Sequence, residues 1–375
     1  MKPVNVEDYR QLARRRLPKL VFDYLDGGAG DERTLRGNRA AFERIAFKPH
    51  HLRDVSRRDG AIELFGRDQK LPLVLAPTGL NGCLWPDGDL LLARAAERAG
   101  IPFVLSTASN LSIEDLARRA GGDLWFQLYV LQRALAADLV RRARDAGYRV
   151  LVLTIDVPVN GRRERDLRNS FAVPFRLSPR IILDAALHPG WTLRQLSHGL
   201  PQFANLATPG LKGADAQAAL MRRQMDASFT WDDLKALRDT WPGPLVVKGI
   251  MNERDALRCA ELGIDGVILS NHGGRQLDDV GAPVDLVQRI APQTPMPVLI
   301  DSGIKRGSDV VKALALGAKA VLLGRATLFA LAAHGEKGVD AVLDMFRAEI
   351  DTTLALLGCA TCRDLNADYI ARTGD

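Results

Sequence analysis

Leu245-Val246-Val247-Lys248-Gly249, Asn252-Glu253-Arg254-Asp255-Ala256-Leu257-Arg258-Cys259-Ala260-Glu261-Leu262 and Gly266-Val267-Ile268-Leu269-Ser270 together decide the fold. A short apolar run, a segment with helical periodicity and a second short apolar run make a strand, helix, strand unit. Outward from it the alternation repeats. Strands are predicted at Leu73 to Ala76, Phe103 to Leu105, Leu124 to Leu128, Val150 to Thr154, Leu245 to Lys248, Gly266 to Leu269, Val298 to Ile300 and Ala320 to Leu323. Helices are predicted between them, among them Gly88 to Ala99, Ile113 to Ala120, Arg133 to Ala146 and Asn252 to Leu262. The unbroken Val, Leu and Ile character of the strands fits burial on both faces, so the spacing predicts an α/β fold, a parallel (β/α)₈ TIM barrel. Residues 1–375 read as a single domain, with an N-terminal helical segment and a long insertion after the fourth strand.

With 375 residues, 47% of them hydrophobic, the chain can bury one large core. No apolar run is long enough to cross a bilayer: Lys312, Lys319 and Arg325 break even Val310 to Ala333. With no leader in sight, the expectation is a cytoplasmic protein, free or attached to a membrane from the cytosolic side. Four cysteines are too few for a disulfide framework and imply a reducing compartment. Cys359 and Cys362 have redox spacing, but no strand precedes them and no second ligand pair exists, so neither a redox nor a metal role is expected. The net charge of +6 allows nucleic acid, an anionic membrane or acidic substrates as partners; with aromatics at 6% and no basic stripe, nucleic acid is set aside.

Leu12 to Tyr24 reads as one amphipathic helix, and Asp26-Gly27-Gly28-Ala29-Gly30 as its cap and turn; a dinucleotide fingerprint would follow a strand. Barrel active sites are built at the C-terminal ends of the strands. Polar residues stand at each of those ends: Ala76-Pro77-Thr78-Gly79, Ser106-Thr107-Ala108-Ser109, Gln127-Leu128-Tyr129, Thr154-Ile155-Asp156, Lys248-Gly249, Ser270-Asn271-His272-Gly273-Gly274-Arg275, Asp301-Ser302-Gly303 and Gly324-Arg325. The last two loops, with Lys305 and Arg306, suit a phosphate, although ordinary tight turns have the same composition. Among six histidines only His272 follows a barrel strand, and Asp156 is placed to pair with it and raise its basicity. Lys248 reads equally as a Schiff-base lysine of an aldolase-like barrel or as a fixed positive charge, and a non-catalytic sensor of a phosphate ligand is a third reading of the same loops.

Ser270-Asn271-His272-Gly273-Gly274-Arg275-Gln276-Leu277-Asp278 resembles the signature of the FMN-dependent 2-hydroxy acid dehydrogenases and oxidases. The resemblance extends, in family order, through Phe22-Asp23-Tyr24, Trp125-Phe126-Gln127-Leu128-Tyr129, Leu153-Thr154-Ile155-Asp156, Val247-Lys248-Gly249 and Leu323-Gly324-Arg325. It implies that Pro77, Thr78, Gly79, Ser106, Gln127, Thr154, Lys248 and Ser270 hold the ring and ribityl chain of FMN. Asp301, Ser302, Gly303, Lys305, Gly324 and Arg325 then hold its ribityl and phosphate groups. Tyr24, Tyr129, Arg163, His272 and Arg275 would line the substrate site, the two arginines clamping a carboxylate and His272 acting as base with Asp156 beside it. Lys305 departs from the family's usual arginine: the charge is kept and the bidentate fork lost.

Within the family, Pro77 to Gly82, Leu84-Trp85-Pro86, Leu105 to Asn110, Asn160-Gly161 and Arg223 to Ser228 are most similar to the mandelate-oxidising dehydrogenase branch. The implied reaction is (S)-mandelate to phenylglyoxylate, with lactate dehydrogenation and oxygen-using oxidation as alternatives. The implied partners are a small 2-hydroxy acid, a quinone or similar electron acceptor and further copies in a homotetramer. Gly79 and Ala108 suggest two pocket walls cut back to admit an aromatic ring. The insertion, about 171–214, carries Arg176, Arg180, Arg194 and Lys212 against a single acid, Asp184, with Ile181, Ile182, Leu183, Leu187, Trp191 and Leu193. Basic and apolar residues with an interfacial tryptophan suit a peripheral anchor on the inner face of the cytoplasmic membrane; an active-site lid is the competing reading.

Overall fold

The structure, a computed structural model, describes residues 2–171, 178–199, 201–206 and 225–372. Three helices come first: α1 (Val6–Arg16), α2 (Lys19–Asp26) and α3 (Arg33–Glu43). The single helix expected over Leu12 to Tyr24 is thus two. Leu17 and Pro18 are extended, at ψ 140° and 147°, because proline lacks the N–H of a continuing helix and pushes the residue before it out of the helical region.

β1 (Ile45–Phe47) pairs antiparallel with β12 (Ile370–Arg372). β2 (Ile62–Leu64) and β3 (Arg67–Gln69) form a hairpin whose tip, Phe65, packs on Trp125 with ring centroids 5.5 Å apart, at the N-terminal end of the barrel. The barrel strands are β4 (Leu73–Leu75), β5 (Phe103–Ser106), β6 (Leu124–Leu128), β7 (Val150–Thr154), β8 (Leu245–Ile250), β9 (Gly266–Leu269), β10 (Val298–Ile300) and β11 (Ala320–Leu323). They pair parallel in chain order, and β11 returns to β4 through Val321 opposite Leu73, closing the ring. Nearly all their side chains are buried, as strands covered on both faces require. β8 runs two residues past the expected Lys248, through an irregularity at Gly249.

Outside the barrel lie α4 (Gly88–Ala99), α5 (Ile113–Arg119), α6 (Arg133–Asp145) and, in the long connection after β7, α7 (Glu164–Arg168), α8 (Pro179–Ala186) and α9 (Pro189–His198). The ring resumes with α10 (Trp231–Thr240), α11 (Glu253–Glu261), α12 (Val284–Ile290), α13 (Gly307–Ala315) and α14 (Arg325–His334), and α15 (Glu336–Leu357) packs across α14 and α13.

In the insertion, Ile182, Leu183, Leu187 and Leu193 stand exposed on α8 and α9, together with Leu196. Trp191 does not. It is buried, and its indole Nε1 donates to the Cys83 carbonyl at 2.7 Å, so it fastens α9 to the barrel instead of meeting an interface. Arg176, Lys212, Arg223 and Gln224, named from the sequence, lie outside the described residues.

Candidate active site

Parallel register sets the strand ends side by side: Ser106 stands opposite Gln127, and Thr154 opposite Lys248. Above them opens a cavity of about 1140 Å³. Of the residues expected there, Pro77, Thr78, Gly79, Ser106 and Ala108 line one part, and Asp301, Ser302, Gly303, Lys305, Gly324 and Arg325 another. Tyr24, Tyr129, Arg163, Lys248, His272 and Arg275 complete it. Gln127, Thr154, Asp156 and Ser270 stand behind this lining.

His272 sits in the loop after β9 at φ 58°, left-handed backbone that a non-glycine residue rarely takes, and Ser302 after β10 is alike at φ 74°. Such conformations cost about 1–3 kcal/mol and persist where the surroundings fix them. Here the Ser270 hydroxyl accepts from the His272 amide at 3.0 Å, and the Ser302 hydroxyl from the Gly273 amide at 3.0 Å. A Cβ on Gly274 would lie 2.6 Å from the Leu35 amide nitrogen of α3, so only glycine lets α3 close on this loop.

The imidazole Nδ1 lies 3.0 Å from Asp156 Oδ1, and Nε2 lies 3.4 Å from the Tyr129 hydroxyl. With Nδ1–H donating to the carboxylate, the Nε2 lone pair faces the cavity. Asp156 does raise the basicity of His272, as the sequence led us to expect, but other influences outweigh it. Burial pushes the imidazole down to about 4, Asp156 opposes it, and Lys248 and Arg163 add to the depression. His272 is therefore neutral at pH 7. Burial pushes the Asp156 carboxyl up, but attraction to His272 and Lys248 outweighs it and holds the group below its ordinary value.

Lys248 Nζ donates to the Ser270 hydroxyl at 2.8 Å and lies 3.1 Å from Asp301 Oδ2. Burial alone would lower its pKa, yet Asp301 and Asp156 raise it above the ordinary value. A lysine held protonated in this way is no Schiff-base nucleophile.

Arg275 Nη1 donates to the carbonyls of Tyr24 and Gly27 at 2.7 and 2.8 Å, and its guanidinium lies 5.0 Å over the Tyr24 ring. Arg163 Nε donates to the Arg275 carbonyl at 3.2 Å. Arg325 donates to the carbonyls of Leu25, Gly273 and Gly27, and burial with Arg275 nearby lowers its pKa to about 9. The glycine-rich run after α2, read only as a turn, is thus the plate on which two cavity arginines rest.

Sequence reasoning missed Asp89 as well. This buried acid accepts from Asn81 Nδ2 at 2.7 Å, from the Ser109 hydroxyl at 2.8 Å and from the Asn110 amide at 3.1 Å, tying the loop after β4 to the loop after β5. Gly79 and Ala108 sit on those two loops, and a Cβ on Gly79 would lie 2.8 Å from the Ala108 Cβ. They form one wall, not the two expected.

A family-wide profile described as FMN-dependent dehydrogenase matches residues 13–372. The chain belongs to that family. It is 58% identical to the (S)-mandelate dehydrogenase of Pseudomonas putida over 99% of this chain and 94% of that one. It is 41% identical to an L-lactate dehydrogenase of Caulobacter sp. strain K31 over 98% of each. The crystal structure of a monotopic membrane protein, (S)-mandelate dehydrogenase, superposes with a TM-score of 0.96 at 57% identity, covering 99% of this chain and all of that one.

FMN is the cofactor of this family. The residues present fit it. The cavity is large enough for a mononucleotide and a small acid together. Behind its lining, Gln127 Nε2 and Thr154 Oγ1 are buried with no hydrogen-bond partner among the described residues. Buried polar atoms are nearly always satisfied, so both await a polar ligand edge. The loops after β10 and β11 bring Lys305 and the first turn of α14 to one end, where an anion is favoured.

Proposed function

We propose that this FMN-dependent dehydrogenase oxidises an (S)-2-hydroxy acid to the 2-oxo acid, and that (S)-mandelate, giving phenylglyoxylate, is its preferred substrate. The observation that carries the reading is one cavity shared by a neutral imidazole, two guanidinium groups and a wall of small residues. Arg163 and Arg275 bind the substrate carboxylate, and Tyr24 and Tyr129 orient it. His272 Nε2 takes the proton released as the alcohol is oxidised, and Asp156 then stabilises the imidazolium. FMN, when bound, would supply the acceptor for the two electrons and the second hydrogen that the substrate loses. Gln127, Thr154, Ser106, Ser270 and the backbone from Pro77 to Gly79 hold the flavin, with Lys248 as its fixed positive charge. Asp301 to Lys305, Gly324 and Arg325 hold its ribityl phosphate end. The 58% identity to a mandelate dehydrogenase and the Gly79–Ala108 wall favour an aromatic substrate.

Anaerobic mixing of the yellow holoenzyme with (S)-mandelate, L-lactate and glycolate tests this: flavin bleaching is expected with all three and most efficiently with mandelate. No bleaching by any hydroxy acid overturns the reading, and a preference for lactate replaces it with lactate dehydrogenation. Rapid reoxidation by oxygen would make the chain an oxidase.

The reading extends to a peripheral enzyme on the inner face of the cytoplasmic membrane that passes its electrons to a quinone. Among the described residues no helix is long and apolar enough to cross a membrane, while five exposed aliphatic side chains crowd α8 and α9. Replacing the insertion with a short polar loop should release the protein from membranes and spare activity with a dye acceptor. A variant still bound to membranes refutes the anchor, and one inactive with dye favours the lid. The resemblance adds one domain over residues 1–375 and a homotetramer, which sedimentation would test.

A further inference from the structure

A second cavity, of about 320 Å³, lies apart from the active site between the C-terminal end of α1 and the start of α9. Arg15, Arg16 and Arg194 line it, with His188, and Leu187 stands at its lip. Neutral groups fix two of these arginines. Arg16 Nη1 donates to the Ala333 carbonyl, and the Arg194 guanidinium lies 4.3 Å over the Trp85 ring. Among the described residues no carboxylate forms an ion pair with any of the three. The nearest acid of the insertion, Asp184, is engaged elsewhere: its Oδ2 accepts from the Lys19 amide at 2.6 Å, and its Oδ1 faces His188 Nδ1 at 3.4 Å. Arg194 Nε is buried with no hydrogen-bond partner among the described residues. Burial and repulsion from Arg16 both hold the Arg194 guanidinium below its ordinary pKa, so the two cations feel each other with no anion between them. Such an arrangement is relieved when an anion enters, and paired guanidinium groups match the oxygens of a phosphate.

The ligand's other half is indicated by what surrounds the cavity. Leu187 at the lip is 71% exposed, and Ile182, Leu183, Leu193 and Leu196 are exposed on the same two helices. A molecule spanning both surfaces carries a phosphate and apolar chains. We propose that the Arg15, Arg16 and Arg194 cavity is a headgroup site for an anionic phospholipid, whose phosphate lies among the guanidinium groups and whose acyl chains run along α8 and α9. The assignment rests on the peripheral-membrane reading and adds lipid selectivity to it.

Co-sedimentation of the FMN-loaded enzyme with phosphatidylcholine vesicles, with and without phosphatidylglycerol, tests it. The wild type should favour the anionic vesicles. Arg15→Gln and Arg194→Gln should each cut that preference about five-fold, the effect of one basic residue at an anionic surface. Arg254→Gln, an exposed arginine on α11, serves as the control for net charge and should cut it about two-fold at most. Binding to pure phosphatidylcholine should persist in all three, since the leucines remain, and unchanged dye-linked activity confirms the fold. Arg15 has no structural partner among the described residues, so its variant tests the site even if Arg194→Gln fails to fold. If both pocket variants behave like Arg254→Gln, or the wild type binds both vesicles equally, the headgroup site is wrong and the membrane reading stands. No binding to either vesicle sinks both. Soluble glycerol phosphate that binds in an Arg15-dependent way, while anionic vesicles are ignored, also overturns the lipid assignment.

Discussion

Lys248 and His272 share one cavity and each stands beside a carboxylate, Asp301 at 3.1 Å and Asp156 at 3.0 Å, yet one is charged and the other neutral. Burial penalises the cation in both cases. What differs is the company. Lys248 is drawn up by two acids, Asp301 and Asp156, whereas His272 has one acid against two cations, Lys248 and Arg163. The lysine also starts far above neutrality and the histidine near it, so similar penalties leave them on opposite sides of pH 7. Contact with a carboxylate therefore does not by itself assign a role. The local sum of charge makes Lys248 a fixed cation and His272 a base that is free to accept a proton at neutral pH.

The strongest way to break this contrast is His272→Ala. Loss of a positioned general base slows proton transfer by about 10²–10⁴-fold. FMN should stay bound, because the flavin contacts proposed above are elsewhere, and stopped-flow bleaching by mandelate reads the effect directly. Wild-type bleaching in the variant removes His272 from the mechanism. In the wild type the active imidazole is the neutral one, held down to about 4, so kcat/KM should rise with pH through that region and then stay level across neutrality.

Lys248→Met sharpens the contrast with a smaller loss. Taking away a positioned charge costs about 10²–10³-fold in rate. The more telling readout is the acid limb of kcat/KM. Lys248 depresses His272, so without it the imidazole titrates at higher pH and the limb moves up, while Lys248→Arg leaves it in place. A limb that does not move in the methionine variant means the two groups are not coupled as described.

The same contrast marks how far the sequence could be read. The barrel was legible because its strands are unbroken aliphatic runs and its helices amphipathic: β6, β7, β9, β10 and β11 fall on the expected bounds. The strand-end residues were legible because the barrel constrains where chemistry can sit. Asp156 beside His272 could be guessed from two strand ends. The burial that outweighs its effect, and the cations that add to that burial, could not, since they depend on how the connection after β7, the end of β8 and the loop after β9 come together. Trp191 was misplaced for a related reason: composition shows that the insertion is apolar and basic, but not which side chain turns inward to reach Cys83. Asp89, in the first turn of α4, looks like an ordinary helix-dipole acid until the two loops it joins are brought together.

Neither half of the charged contrast senses the size of the substrate, and Gly79→Ala isolates the part that should. The added Cβ would lie 2.8 Å from the Ala108 Cβ and 3.3 Å from its carbonyl oxygen. Asp89 pins both loops, so they cannot part freely, and the strain falls on the wall of the cavity. Overpacking and one methyl in a hydrophobic pocket are each worth about 1–3 kcal/mol, roughly 10–200-fold in kcat/KM. The lower part of that range is expected for mandelate and less for lactate, with FMN content and the acid limb of His272 unchanged. Adding Ala108→Gly moves the methyl from one loop to the other, and most of the lost mandelate activity should return if contact between these two residues is the cause. Equal losses for mandelate and lactate, or no rescue in the double variant, would show that this wall does not select for size.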